Sequence, residues 1–131
     1  MTTIREIMRT DVLDVEMAVT LQAAAQSMRD RSISSLVVTE RDRLVGIMTE
    51  RDMVAAMADG VDAQVAHVRD YMTTNPISVT PDASIEEATQ NMLEHGFRHL
   101  PVVDADQRLV GIVSIRDLAR GGIHVPVPVK E

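Results

Sequence analysis

The sequence predicts an α/β (α+β) fold in which two β-α-β-β-α repeats pack about a pseudo-twofold axis. The first observation is a phrase that occurs twice, as Gly46–Asp52 and as Gly111–Asp117. The second is a longer repeat around it, because Arg5–Met8 returns as Arg69–Met72, 64 residues later. The third is that the apolar spacing has the period of a strand before each phrase and of a helix after it.

The first half of each repeat is predicted as a short strand and a helix. Val12–Val15 and Ile77–Val79 have extended character, and Thr20 and Ser84 are suitable N-caps for the helices that follow. Apolar residues then recur at i, i+3 and i+7, which defines one buried face of each helix. These residues are Leu21, Ala24 and Met28 in the first repeat and Ile85, Ala88 and Met92 in the second.

The second half of each repeat is predicted as a hairpin and a final helix. Each pair of Val-, Leu- and Ile-rich runs is separated by a short polar turn, as expected for a hairpin. Helices over about 50–58 and 115–120 follow, and Gly96 is a predicted stop for the earlier helix of the second repeat. The predicted boundaries are 1–60 for the first repeat, 61–68 for a linker, 69–122 for the second repeat and 123–131 for an extended tail.

Composition limits the classes of function. The 131 residues are 45% hydrophobic and 25% charged, which is typical of a globular chain long enough for a core. The net charge of −7 argues against nucleic-acid and membrane binding, because both partners favour a basic surface. The absence of cysteine, of a signal-peptide pattern and of a long apolar segment predicts a soluble, cytoplasmic protein.

The end of each repeated phrase has two interpretations. Thr49 with Asp52, and Ser114 with Asp117, have the spacing of a capping box, which stabilises a helix by about 1 kcal/mol without any ligand. Alternatively, a helix that starts at the end of a strand can bind an anion, and a carboxylate one turn later can accept hydrogen bonds from ribose hydroxyls. Arg51 and Arg116 would then supply positive charge, and the two interpretations are compatible.

A second candidate group is Phe97, Arg98 and His99, which lie at the start of the second hairpin. Arg98 and His99 interrupt an apolar stretch, either because one side chain faces solvent or because both contact a phosphate. The first repeat has Ile33, Ser34 and Ser35 at this place, so its pocket is predicted to be less basic.

Catalysis and metal binding are not predicted. The sequence offers no nucleophile paired with a base, no Gly-rich phosphate loop and no redox motif. His95 and His99 are four residues apart, but Gly96 lies between them, which disfavours a metal-binding pair on one helix. The chain is therefore predicted to be neither an enzyme nor a metalloprotein.

Four short motifs resemble the CBS domain family, named after cystathionine β-synthase, in its tandem form known as a Bateman module. They are Leu100–Asp104, the Leu-Val-Gly-Ile segments at Leu44–Ile47 and Leu109–Ile112, the Thr/Ser-x-x-Asp endings, and Met72–Pro76. The resemblance covers about residues 3–121. It implies a stand-alone regulatory module that binds adenine nucleotides, or related adenosyl ligands, in clefts between its repeats.

The resemblance also implies two composite sites, each with parts of both repeats. The Asp side chain would hold ribose, Ile77 or Leu13 would flank the base, and Arg98 and His99 would face phosphate. Asp11 disfavours a charged ligand in the second site, so the first site is expected to bind more readily. The first site would comprise Thr49, Asp52, Asn75, Ile77, Phe97, Arg98 and His99, and the second Ser114, Asp117, Asp11, Leu13, Ile33, Ser34 and Ser35.

Two non-enzymatic functions follow as hypotheses. In the first, the chain is a nucleotide sensor of the AMP, ADP or ATP class, with no catalytic cofactor, and an unidentified effector protein responds to the bound state. In the second, the clefts have lost their ligand and the chain acts through protein–protein contacts as a structural or dimerisation module. The family commonly pairs two modules through their helices, so a homodimer is expected in either case.

Overall fold

The computed structural model describes residues 2–121, and within that range it has the predicted α+β composition. The C-terminal tail 123–131, predicted to be extended, lies outside the described residues. The helices are α1 (Ile4–Ile7), α2 (Leu21–Arg31), α3 (Glu50–Ala58), α4 (Ile85–His95) and α5 (Ile115–Arg120). The strands are β1 (Asp14–Val15), β2 (Ser35–Glu40), β3 (Arg43–Thr49), β4 (Thr73–Thr74), β5 (His99–Val103) and β6 (Leu109–Ser114), and a single 3-10 turn spans Val68–Asp70.

The described chain forms two compact units that do not coincide with the sequence repeats. Unit 1 contains residues 2–11, 77–106 and 110–121, whereas unit 2 contains residues 12–76 and 107–109. Residues 2–11, which belong to the first repeat by sequence, therefore pack with the elements of the second repeat.

Unit 2 contains a four-stranded sheet in the order β1-β2-β3-β4. β1 runs parallel to β2, and β2 and β3 form the predicted antiparallel hairpin. Arg41 and Asp42 make its turn, with φ of 53° and 67°. The apolar face of α2 covers the sheet and buries Leu21 and Met28 with Leu36 and Met48, among other residues. The predicted buried face of this helix is confirmed.

The segment 61–68, predicted as a linker, packs onto the start of α2 within unit 2. The carbonyl oxygens of Ala66 and Ala63 accept hydrogen bonds from the N–H groups of Leu21 and Gln22, both at 3.0 Å. Val68 is fully buried in the core of this unit. This segment therefore stabilises unit 2 as well as connecting the two repeats.

Unit 1 is built around the pair of strands β5 and β6, with α1, α4 and α5 packed in the same core. Ile4, Leu100 and Leu118 are fully buried in it. The sequence pattern does not predict α1, because one turn of helix is too short to show a period. The turn is closed by the N–H of Thr3, which donates to Oε2 of Glu6 at 2.9 Å.

The predicted N-caps of α2 and α4 and the predicted stop of α4 are confirmed. Oγ1 of Thr20 accepts a hydrogen bond from the N–H of Ala23 at 3.2 Å, and Oγ of Ser84 accepts one from Glu87 at 3.1 Å. Gly96 ends α4 in the left-handed region, with φ of 72°. In α2 the same position is Ser32, with φ of 53°, so a residue with a side chain adopts the strained conformation there.

Tyr71 links the 3-10 turn to the end of α3 and gives a pH-dependent prediction. Its hydroxyl donates to Oδ2 of Asp59 at 2.8 Å, and this hydrogen bond, with smaller contributions from burial and from the charges of Asp59 and Asp70, raises the pKa of Tyr71 above its ordinary 10.0. The folded state therefore favours the neutral phenol. The resulting stabilisation is complete below about pH 10 and is lost as the pH rises through the raised pKa.

We expect Tyr71→Phe to flatten the alkaline decline in the free energy of unfolding, measured by urea denaturation between pH 9 and pH 11. The substitution should also lower stability at pH 8, where the hydrogen bond is intact in the parent protein. An alkaline decline of equal slope in both proteins would contradict this assignment.

No helix of the described chain is both long enough and apolar enough to cross a membrane.

Candidate functional site

The first repeated phrase places Thr49 at the point where β3 ends and α3 begins. The N–H of Thr49 donates to Oδ2 of Asp52 at 2.8 Å, and its hydroxyl lies 3.2 Å from the same oxygen. The N–H of Asp52 in turn donates to Oγ1 of Thr49 at 3.4 Å. The capping-box interpretation is therefore confirmed for this helix, which does not exclude a ligand.

The second repeated phrase forms the same arrangement at the start of α5. The N–H and the hydroxyl of Ser114 donate to Oδ2 of Asp117 at 2.8 and 2.9 Å, and the N–H of Asp117 donates back to Oγ of Ser114 at 3.2 Å. Two hydroxyl–Asp pairs 65 residues apart in sequence thus adopt one local geometry, as the repeat predicts.

The two carboxylates differ in what their other oxygen contacts. Oδ1 of Asp117 accepts a hydrogen bond from Nε of Arg9 at 3.2 Å and lies 3.5 Å from a terminal nitrogen of Arg120. Asp117 is only 4% exposed, whereas Asp52 is partly exposed. Within residues 2–121, Oδ1 of Asp52 has no hydrogen-bond or ion-pair partner.

Backbone contacts place the start of each hairpin beside the helix of its own repeat. The N–H of Glu50 donates to the carbonyl oxygen of Ser34 at 3.0 Å, and the N–H of Ile115 donates to that of Arg98 at 3.0 Å. Ser35 is also paired with Thr49 in the β2–β3 register. Two of the first three N–H groups of α3, those of Glu50 and Asp52, are therefore already used within the protein.

The remaining predicted site residues are distributed over both units. In unit 2, Leu13 and Ile33 pack against the core, Arg51 is exposed, and Asn75 is exposed with φ of 47°. In unit 1, Ile77 packs against the core, Arg116 and Asp11 are exposed, His99 is partly buried, and Phe97 stacks on His95 with ring centroids 5.6 Å apart. The two composite sites, each with parts of both repeats, stay a prediction.

Arg9 contacts the second hydroxyl–Asp pair but was not among the predicted site residues. The signal is present in the repeat, because Met8 and Arg9 occupy the positions of Met72 and Thr73. An arginine in one copy and a threonine in the other mark a place where the two sites differ in charge.

In residues 2–121, no group of three or more His, Asp or Glu side chains lies close enough together to hold a metal ion.

A CBS domain family model matches the chain twice, over residues 4–59 and 68–129. The chain belongs to the CBS domain family. The predicted membership and the predicted architecture of two repeats are both confirmed. Hypoxic response protein 1 of Mycobacterium tuberculosis is 41% identical over 128 residues, which cover 96% of this chain and 87% of that protein.

Solved structures with this fold include complexes with adenosine compounds. The CBS domain pair of MJ0100 with 5′-methylthioadenosine and S-adenosyl-L-methionine has a TM-score of 0.84 at 27% identity, covering 92% of this chain and 97% of that one. CBSX2 of Arabidopsis thaliana with AMP has a TM-score of 0.83 at 27% identity, covering 93% and 96%. CBS-domain pairs related to this chain therefore bind adenosine-containing ligands.

A third similar structure holds a different ligand. Hypoxic Response Protein I with two coordinated zinc ions has a TM-score of 0.83 at 39% identity, covering 95% of this chain and all of that one. Similarity within the CBS family thus does not by itself determine which ligand a member binds.

Proposed function

We propose that this CBS-domain pair is a non-enzymatic regulatory module that binds an adenosine-containing ligand through Thr49 and Asp52. The observation that carries the proposal is that Asp52 is partly exposed and that its Oδ1 has no partner within residues 2–121. The capping box fixes the carboxylate through Oδ2, which leaves Oδ1 to accept hydrogen bonds from ribose hydroxyls. The adenosine compounds bound by MJ0100 and CBSX2 support this class of ligand.

The contacts of α3 favour side chains over the helix N-terminus as the source of affinity. Ser34 and Thr49 already accept two of its first N–H groups, so little of the helix end is left for a phosphate. The exposed guanidinium of Arg51 is available on the same turn. Arg98 and His99 remain the predicted phosphate contacts, and AMP, ADP and ATP are the predicted ligands.

We expect Asp52→Asn to weaken AMP binding at least tenfold. The amide oxygen of Asn can still accept the hydrogen bonds from Thr49. The NH₂ group of Asn, however, takes the place of Oδ1 and cannot accept a hydrogen bond from a ribose hydroxyl. A lost hydrogen bond to a charged acceptor costs about 1.5–3 kcal/mol, which corresponds to roughly 10- to 150-fold in affinity. Isothermal titration calorimetry with AMP, and with the uncharged 5′-methylthioadenosine, measures the loss.

Glu50→Gln is the matched control, because Glu50 is an exposed acid on the same turn of α3 with no role in the capping box. We expect it to leave both affinities within about twofold. AMP affinity that is unchanged in Asp52→Asn would exclude Asp52 as a ligand contact.

A second function, a ligand-free module that acts through protein contacts, is favoured by the exposed apolar residues of α3. Val54 is 66% exposed and Met57 is 82% exposed, and at i and i+3 they share one face of the helix. This exposed apolar face is a suitable contact surface for the predicted homodimer. Sedimentation equilibrium measures whether the chain is a dimer, and calorimetry measures whether it binds a ligand. A dimer that binds none of AMP, ADP, ATP or S-adenosylmethionine at millimolar concentration would favour the second function.

The effector protein and the cytoplasmic location remain predictions. A net charge of −7 predicts that the chain is a poor partner for nucleic acids.

A further inference from the structure

Arg9 and Thr73 occupy equivalent positions in the two repeats, as the strand register shows. Arg9 pairs with Ile112, and Thr73 pairs with Ile47. Ile112 and Ile47 each lie two residues before the hydroxyl residue of the repeated phrase, Ser114 or Thr49. The segment at the start of each CBS repeat therefore passes the hydroxyl–Asp pair of the other repeat at the same register, with an arginine in one case and a threonine in the other.

Arg9 is held firmly enough to be a fixed partner of Asp117. Its N–H donates to the carbonyl oxygen of Ile112 at 2.9 Å, and its own carbonyl oxygen accepts from the N–H of Ile112 at 2.9 Å. Its side chain is 54% exposed, while the carboxylate that it contacts is 4% exposed. The guanidinium thus covers a buried anion from the solvent side, and a buried carboxylate without a cationic partner would be unfavourable.

The contact uses the carboxylate oxygen that a ribose would need. Oδ2 of Asp117 is taken by Ser114, and Oδ1 is taken by Arg9 with Arg120 nearby. In the other repeat, the oxygen that corresponds to Oδ1 has no partner within the described residues. Thr73, which replaces Arg9 there, is exposed and carries no charge.

We propose that Arg9 is a specificity-determining residue that competes with ligand for Asp117, so that only the Thr49–Asp52 pair binds an adenosine compound in the native chain. The proposal rests on the proposed function of Asp52 and adds to it a stoichiometry of one ligand per chain. Arg9 makes the two repeats unequal although their capping boxes are alike.

The test is the number of AMP and adenosine molecules bound per chain, measured by calorimetry in the parent protein and in Arg9→Thr. We expect one ligand per chain in the parent. In Arg9→Thr, which introduces the residue of the other repeat, we expect a second ligand per chain, because the affinity of the Ser114–Asp117 pair for ligand should rise at least fivefold over the parent. Arg9→Met keeps the apolar stem of the side chain and should give the same gain if Arg9→Thr folds poorly. Adenosine is included because it lacks the phosphate that an arginine would attract.

Arg5→Thr is the matched control. Arg5 lies in the same N-terminal segment and forms an ion pair with Asp82 at 3.0 Å, with both side chains largely exposed, so its loss should change neither stoichiometry nor affinity. Unchanged stoichiometry in both Arg9 variants would overturn the proposal, as would two equal sites in the parent or a loss of AMP affinity that marks Arg9 as a phosphate contact. If AMP and adenosine bind to none of the proteins, the proposed function fails, and the inference about Arg9 fails with it.

Discussion

Replacing Ile4 by alanine is expected to lower the free energy of unfolding by about 2–5 kcal/mol. Ile4 is the fourth residue of the chain and yet is 0% exposed, in the same cluster as Leu100 and Leu118. Truncation to alanine removes apolar contacts and leaves a cavity that the surrounding core can fill only in part. Urea denaturation followed by circular dichroism measures the loss.

The contacts of α1 explain why Ile4 is expected to contribute so much to the free energy of unfolding. The N–H groups of Ile4 and Arg5 donate to the carbonyl oxygens of Ala83 and Pro81, both at 2.9 Å, and Thr3 forms a bridge with Ser84. These bonds fix the N-terminal segment to the loop before α4. The loss of Ile4 therefore weakens the core and also the attachment of the segment that carries Arg9.

Val65→Ala is the control for Ile4→Ala, because it also removes aliphatic carbons but from a side chain that is 67% exposed and lies outside the apolar face of α3. We expect it to change the free energy of unfolding by no more than about 0.5 kcal/mol. Equal effects of the two substitutions would mean that residues 2–11 do not contribute to the core of unit 1.

Local patterns in the sequence predicted most of the secondary structure. The i, i+3, i+7 spacing located α2 and α4, and the apolar runs on either side of a polar turn located β2 and β3. The capping boxes were also predictable, because all their atoms lie within four consecutive residues. Each of these features depends on neighbours that are close in sequence.

The features that the sequence did not predict depend on residues far apart in the chain. Arg9 and Asp117 are 108 residues apart, and the hydrogen-bond partners of Ile4 and Arg5 lie in the other repeat. A single short turn such as α1 has no periodicity, and its stability comes from these distant contacts. Unequal sites were predicted from Asp11 and from the less basic first hairpin, but the contact of Arg9 with Asp117 required the structure, although the repeats differ visibly at Arg9 and Thr73.

The glycine that opens the second repeated phrase gives the second large expected effect. A Cβ atom at Gly111 would lie 2.9 Å from the carbonyl oxygen of Arg9 and 2.9 Å from Sδ of Met8. The Met8 side chain can rotate away, but the Arg9 carbonyl is fixed by its hydrogen bond with Ile112. We expect Gly111→Ala to cost about 1–3 kcal/mol in the free energy of unfolding, measured by urea denaturation.

A double variant separates the two causes of this cost. Adding Met8→Ala to Gly111→Ala removes the contact with Sδ and leaves the contact with the backbone oxygen, so we expect most of the penalty to persist relative to Met8→Ala alone. Complete recovery would mean that side-chain crowding is the whole effect.

Gly46 lies in the same surroundings, with a Cβ position 2.5 Å from Sδ of Met72 and 3.0 Å from the carbonyl oxygen of Thr73. In both cases the glycine thus lets the first segment of the other repeat lie against the strand that contains the glycine, and this contact sets the register of Arg9 or Thr73. If Gly111→Ala displaces Arg9, it should also raise the AMP stoichiometry, whereas Gly46→Ala should not. The repeated phrase therefore has two physical functions: its glycine positions the neighbouring segment, and its hydroxyl–Asp pair fixes the carboxylate that this segment either covers or leaves open.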